Sequence, residues 1–178
     1  MKKLIWGIPL LLILSSGLVR ADQVVDLPNA DFEKGLSGWS TNDNGMSSAT
    51  AAAAHGGKAG LRVEDRATTA GSGLYSTTQK AVSDRDYTLQ FWARNLEGEG
   101  LAVYLIFYDE KNQALSRSEF NNEIKVTLPK GAKDWKQYTL KGVAPKDSAR
   151  MKVWVHSFIN NVVVAELDDF VLTESAPQ

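Results

Sequence analysis

No stretch of this 178-residue chain sustains a helical period over a helix length. Short runs of alternating apolar and polar residues recur instead, bounded by Gly, Asn, Asp and Pro, which is the pattern of a two-sheet all-β sandwich. The runs predict strands at 24–27, 47–54, 59–64, 73–82, 86–95, 101–109, 124–128, 135–143, 150–158 and 162–173. Three of them sort cleanly by face, because strand side chains alternate with period two. Tyr87, Leu89, Phe91 and Ala93 alternate with Thr88, Gln90, Trp92 and Arg94. Val103, Leu105 and Phe107 alternate with Tyr104, Ile106 and Tyr108, and Met151, Val153 and Val155 with Lys152, Trp154 and His156. The first set of each run belongs to the core. The second sets, read together, make one non-core face rich in aromatics. Ala49–Gly60 is rich in small residues and helix-permissive by propensity, but Gly56 and Gly57 end it early, and a strand and turn are expected there. The tail 174–178 is expected to fray.

Lys2 and Lys3 precede an apolar run from Leu4 to Val19, closed by Val19-Arg20-Ala21. That run is about 16 residues, short of the roughly 20 that span a bilayer. It reads as a signal peptide, residues 1–21, leaving a single domain at 22–178 in a secreted or periplasmic setting. No internal repeat or linker divides that domain. There is no Cys, so disulfides, thiolate metal sites and Cys nucleophiles are excluded. Cleavage takes away three positive charges and no acid, moving the formal net charge from −1 to −4. Nucleic acid and, after cleavage, anionic membrane are therefore not expected partners, since both need clustered Lys and Arg.

Certain motifs go further. Asn29-Ala30-Asp31-Phe32-Glu33-Lys34-Gly35-Leu36-Ser37-Gly38-Trp39 opens the domain, and Glu166-Leu167-Asp168-Asp169-Phe170-Val171-Leu172 closes it. Between them lie Ala54-His55-Gly56-Gly57-Lys58, the run Tyr87 to Arg94, and Asp134-Trp135-Lys136-Gln137-Tyr138 with Ala144-Pro145. In this order they resemble the carbohydrate-binding modules of families 4, 9 and 22, which are galactose-binding-like jelly rolls. The resemblance covers nearly the whole domain. It implies a secreted β-sandwich of jelly-roll type that binds a polysaccharide or oligosaccharide without cleaving it.

The resemblance also implies a structural Ca²⁺, held by Glu33, Asp168 and the carbonyl of about Lys58, with Asp169 as a lesser candidate. Asp168 shares strand parity with Phe170 and Leu172, so it is expected to point inward, where an unpaired carboxylate is costly and a cation would offset the cost. A sugar-binding face needs flat aromatic surface beside planar donors and acceptors. Trp92, Tyr104, Tyr108 and Trp154, with Gln90, Arg94, Lys152 and His156 among them, are the expected platform. Trp39, Trp135 and His55 read as structural, Phe32 and Tyr138 as core, and Tyr75 is undecided.

Catalytic motifs are lacking: there is no G-x-S-x-G and no H-E-x-x-H, and only two His. One alternative is a jelly-roll polysaccharide lyase, with His156 and Tyr104 moving the proton and Arg94 neutralising a uronate carboxylate. Another is a secreted protein-interaction or adhesion domain using the same face.

Overall fold

The computed structural model describes residues 22–116 and 123–175. The expected signal peptide lies outside the described residues. Twelve strands follow in order: β1 (Gln23–Val25), β2 (Trp39–Thr41), β3 (Ser47–Thr50), β4 (Gly60–Asp65), β5 (Gly73–Ser76), β6 (Gln79–Lys80), β7 (Asp86–Gly98), β8 (Leu101–Tyr108), β9 (Ile124–Thr127), β10 (Lys136–Val143), β11 (Arg150–Ser157) and β12 (Val163–Ser175). One turn of 3-10 helix, Ala51–Ala53, separates β3 from β4. Among the described residues no helix is long and apolar enough to cross a membrane.

The strands form two antiparallel sheets. Sheet A has the order β10-β7-β12-β4-β3, with β1 added along β12. Sheet B has the order β2-β5-β11-β8-β9, with β6 added along β11. The expected all-β sandwich is thus the observed fold. The inward sets are the expected ones: Tyr87, Leu89, Phe91 and Ala93 from sheet A, and Val103, Leu105, Phe107, Met151, Val153 and Val155 from sheet B, are all at most 1% exposed. Phe91 stacks between Phe170 (5.0 Å) and Tyr138 (5.7 Å), and Phe170 meets Phe32 and Trp39 edge-on. The opening motif is therefore a core plug. Asn29 holds its loop shut, donating from its side chain to the carbonyls of Gly35 and Ser37 and accepting from the Lys34 N–H, all at 2.9 Å.

Some elements differ from expectation. The 47–54 strand stops at Thr50, and Ala51–Ala53 coils into the single 3-10 turn. The 73–82 run is broken into β5 and β6. Trp39–Thr41 forms an edge strand that a three-residue run could not announce. The tail does not fray at Glu174: it pairs with Gln23 and accepts the Tyr87 hydroxyl at 2.9 Å.

Candidate glycan-binding face and the acidic turn

Two sheets have two non-core faces, and this divides the expected platform. Gln90, Trp92 and Arg94 point outward from β7 in sheet A, whereas Tyr104, Tyr108, Trp154 and His156 point outward from β8 and β11 in sheet B. Strand parity tells inside from outside; it carries no information on which sheet a strand joins. The proposed lyase set fails for the same reason, since Arg94 lies on the opposite side of the sandwich from His156 and Tyr104.

The sheet A face is capped around Trp92. The His55 ring stacks on Trp92 at 4.1 Å and 13°, and Trp135 packs edge-on against His55 at 5.2 Å. Arg94 sits over the Trp135 ring at 4.8 Å and donates to the Ala52 carbonyl at 3.2 Å. Arg94 and Arg62 also clasp the buried Glu166 carboxylate, at 2.6 and 2.9 Å. Trp92 and Arg94 thus fasten the 51–58 segment to the sheet, and His55 and Trp135 have the structural roles expected of them.

Sheet B offers the more open face, with Tyr75, Trp154 and His156 half-buried and Tyr104 only 5% exposed. Its register lines up Ser40, Tyr75, Trp154, Tyr104 and Lys125 in one row across five strands. Directly paired residues on one face of antiparallel strands lie side by side. Tyr75 and Trp154 are accordingly parallel, 5.4 Å apart at 5°, and Tyr104 lies 4.8 Å from Trp154. His156 stacks on Trp154 at 4.2 Å. The row borders a groove of about 520 Å³ whose wall includes Tyr104, Ile106, Tyr108, Trp154, His156 and Phe158. Tyr75, Phe158 and Lys125 are the members that sequence reasoning missed. Tyr75 had the aromatic signal without a partner strand to give it a face.

His156 is oriented from behind. Its Nδ1 lies 2.5 Å from the Ser72 carbonyl oxygen, which can only accept, so Nδ1 carries the proton and Nε2 remains an acceptor. Burial pushes its pKa down, and the Ser72 bond opposes this. Behind Ser72, the Ser157 hydroxyl donates to the fully buried Asp65 carboxylate. Burial likewise raises the phenol pKa values of Tyr75 and Tyr104. The Trp154 indole N–H is buried and has no acceptor among the described residues.

Over the outer face of sheet A, the turn at 55–59 meets three carboxylates. Glu33 accepts the N–H groups of Lys58 (2.6 Å) and Ala59 (3.0 Å), which hold its carboxyl below the usual range. Gly57 has φ +62°, and a Cβ there would lie 2.2 Å from Glu33 Oε1. Asp168 is fully buried and accepts from His55 N (2.8 Å), Gly56 N (3.2 Å) and Asp169 N (2.8 Å). Burial nevertheless pushes its pKa up. Asp169 Oδ2 is 2.8 Å from His55 Nδ1.

Asp168 does not point inward as expected. A β-bulge between Asp168 and Val171, with Asp169 at φ +54°, inserts one residue. Asp168 then pairs with outward Trp92, while Phe170 still turns into the core. Lys58 also meets the cluster through its N–H, where its carbonyl was expected.

The donors at this turn suit a hard cation in kind. They are oxygens, one is a desolvated carboxylate, and no Lys or Arg pairs with Asp168 among the described residues. No three acidic or imidazole side chains cluster closely enough to hold a metal by themselves among the described residues. A calcium here would rest on the Glu33 and Asp168 carboxylates, which the turn meets with N–H groups.

Known proteins with this architecture bear on both sites. The xylan-binding CBM22-1 domain of Xyn10C from Paenibacillus barcinonensis superposes with a TM-score of 0.65 at 14% identity, covering 89% of this chain and 99% of that one. A family 16 carbohydrate binding module gives 0.59 at 19%, covering 82% and 97%. The Stig cyclase Fisc from Fischerella sp. TAU gives 0.66 at 17%, covering 89% and 100%, so the same sandwich also serves an enzyme. No curated protein matches the sequence significantly. The CBM_4_9 carbohydrate binding domain model, however, matches residues 27–158, from the core plug to the end of the aromatic face. The chain belongs to the CBM_4_9 family of carbohydrate binding domains.

Proposed function

We propose that the outer face of sheet B binds a polysaccharide without cleaving it, sugar rings stacking along Tyr75, Trp154 and Tyr104. The observation that carries this reading is the register-aligned aromatic row beside an open groove. Sugars offer apolar C–H faces that such rings cover, and hydroxyls that the His156 Nε2, Lys125 and Ser40 can meet. The test is a survey of soluble polysaccharides by affinity gel electrophoresis. Retarded migration with at least one polymer, without any release of reducing ends, is expected. Migration unchanged by every polymer would end the proposal.

A calcium ion at the 55–59 turn belongs to the same reading, with Glu33 and Asp168 as its side-chain ligands. It would neutralise the buried Asp168 carboxylate and tie the opening motif to the last strand. A ligand that binds only the native state stabilises it, by about 2.7 kcal/mol when free calcium is a hundredfold above Kd. Chelator should therefore lower the melting temperature by about 5–10 °C in a domain of this size. Asp168→Ala should abolish that difference, while Asp169→Ala should keep most of it. A melting curve indifferent to chelator would remove calcium from the account.

A further inference from the structure

The cations on the sheet B face are not equivalent. Lys125, at the end of the aromatic row, is engaged by Glu123 at 2.6 Å. Arg150 donates to the carbonyls of Asp109 (3.1 Å) and Glu110 (2.9 Å) and lies 3.8 Å from the Glu110 carboxylate. Among the described residues Glu123 and Glu110 are thus each engaged by a neighbouring cation. Lys152 differs. It sits on β11 across from Ile106, one step from Trp154 on the same face. Its ammonium lies 5.9 Å from the Tyr75 ring and 6.0 Å from the Tyr108 ring, and no carboxylate pairs with it among the described residues. The chain as a whole is slightly acidic, with a formal net charge of −1, so a cation beside the aromatic row with no carboxylate partner among the described residues runs against the molecule's balance.

An ammonium beside aromatic rings is partly desolvated, and an oxyanion arriving there gains a charge-assisted hydrogen bond that a hydroxyl cannot match. A neutral sugar would be served as well by an amide. We infer that the glycan taken by this face is anionic, with a carboxylate or sulfate on or next to the sugar stacked at Tyr75–Trp154 and its charge received by Lys152. This rests on the reading of the row as the glycan platform. The neutral His156, its pKa lowered by burial, leaves Lys152 as the local charge.

The experiment uses matched polymers in affinity gels and calorimetry: a polyuronate, the same polymer with its carboxyls reduced to alcohols, a sulfated galactan, and neutral xylan and β-glucan. Wild-type protein should bind at least one anionic polymer roughly tenfold more tightly than its neutral counterpart, and the advantage should shrink as salt rises. The polyuronate and sulfated arms separate the two sources of charge. Lys152→Met keeps the aliphatic stem and should lose about tenfold on the anionic polymer, the size of one charge-assisted contact. Lys152→Arg should restore most of it, and Lys141→Met, an equal loss of charge on the exposed strand β10 of sheet A, should change little. Equal binding of charged and neutral polymers would overturn the inference and leave the platform standing. So would an unchanged Lys152→Met, or an equal loss in Lys141→Met. Failure of a folded protein to bind any polymer would overturn the platform and the inference with it.

Discussion

Replacing Trp154 with Ala should cost about 1–3 kcal/mol of glycan affinity, the range for a stacking aromatic at the centre of a binding surface. Trp154 is the hub of the row: Tyr75, Tyr104 and His156 all pack on its ring, at 5.4, 4.8 and 4.2 Å. It lies outside the inter-sheet core, so far-ultraviolet circular dichroism should be unchanged. Trp92→Ala should do the reverse. It removes the ring under His55, loosens the 51–58 segment and lowers the melting temperature, while affinity stays at the wild-type value. Calorimetric titration of both variants against one polymer decides the matter. If Trp92→Ala abolishes binding and Trp154→Ala does not, the ligand lies on sheet A.

Gly60→Ala should be among the most damaging single-methyl changes in the molecule. A Cβ at Gly60 would lie 1.9 Å from the carbonyl oxygen of Ala53 and 2.6 Å from its carbonyl carbon. Neither atom is the movable end of a side chain. The collision would lift the 3-10 turn off β4, and with it the segment that carries His55 onto Trp92 and supplies two N–H groups to Asp168. Overpacking against backbone stands at the upper end of the usual range, about 3 kcal/mol. For a domain of this length that is a fall of about 6–12 °C in melting temperature. A Gly60→Ala protein melting within a degree or two of wild type would show that this seat is not tight.

The sandwich was legible because its long strands obey one rule throughout. Every residue assigned inward in Tyr87 to Ala93, Val103 to Phe107 and Met151 to Val155 is buried, and of the outward residues between them Tyr104 alone is buried too. Where information was missing, the physics explains why. Trp92 and Trp154 have the same parity, yet pairing partners place them on opposite sheets, and pairing is a long-range property that no local period encodes. Asp168 was assigned the wrong face because a single bulge reverses parity, and its signal, a left-handed Asp169, is visible only in the backbone. Tyr75 was left undecided because β5 is four residues long, too short for an alternation to establish itself. Glu33 and Asp168 meet the same turn, which presents N–H groups to them where carbonyls were expected. Ala51–Ala53 shows propensity prevailing for one turn before Gly60 restores the strand.

Because Tyr75, Trp154 and Tyr104 occupy paired positions on three adjacent strands, the interval between them is set by main-chain hydrogen bonds, roughly 4.8 Å per strand. The row is in effect a ruler whose graduations the connecting loops cannot alter. Insertions or substitutions in those loops can reshape the ends of the groove, and so change which branch or terminus is admitted. A polymer lying along the row must still have a repeat commensurate with the sheet, or it falls out of step within a few residues. Diversification of such a face is therefore free at its rim and constrained along its length.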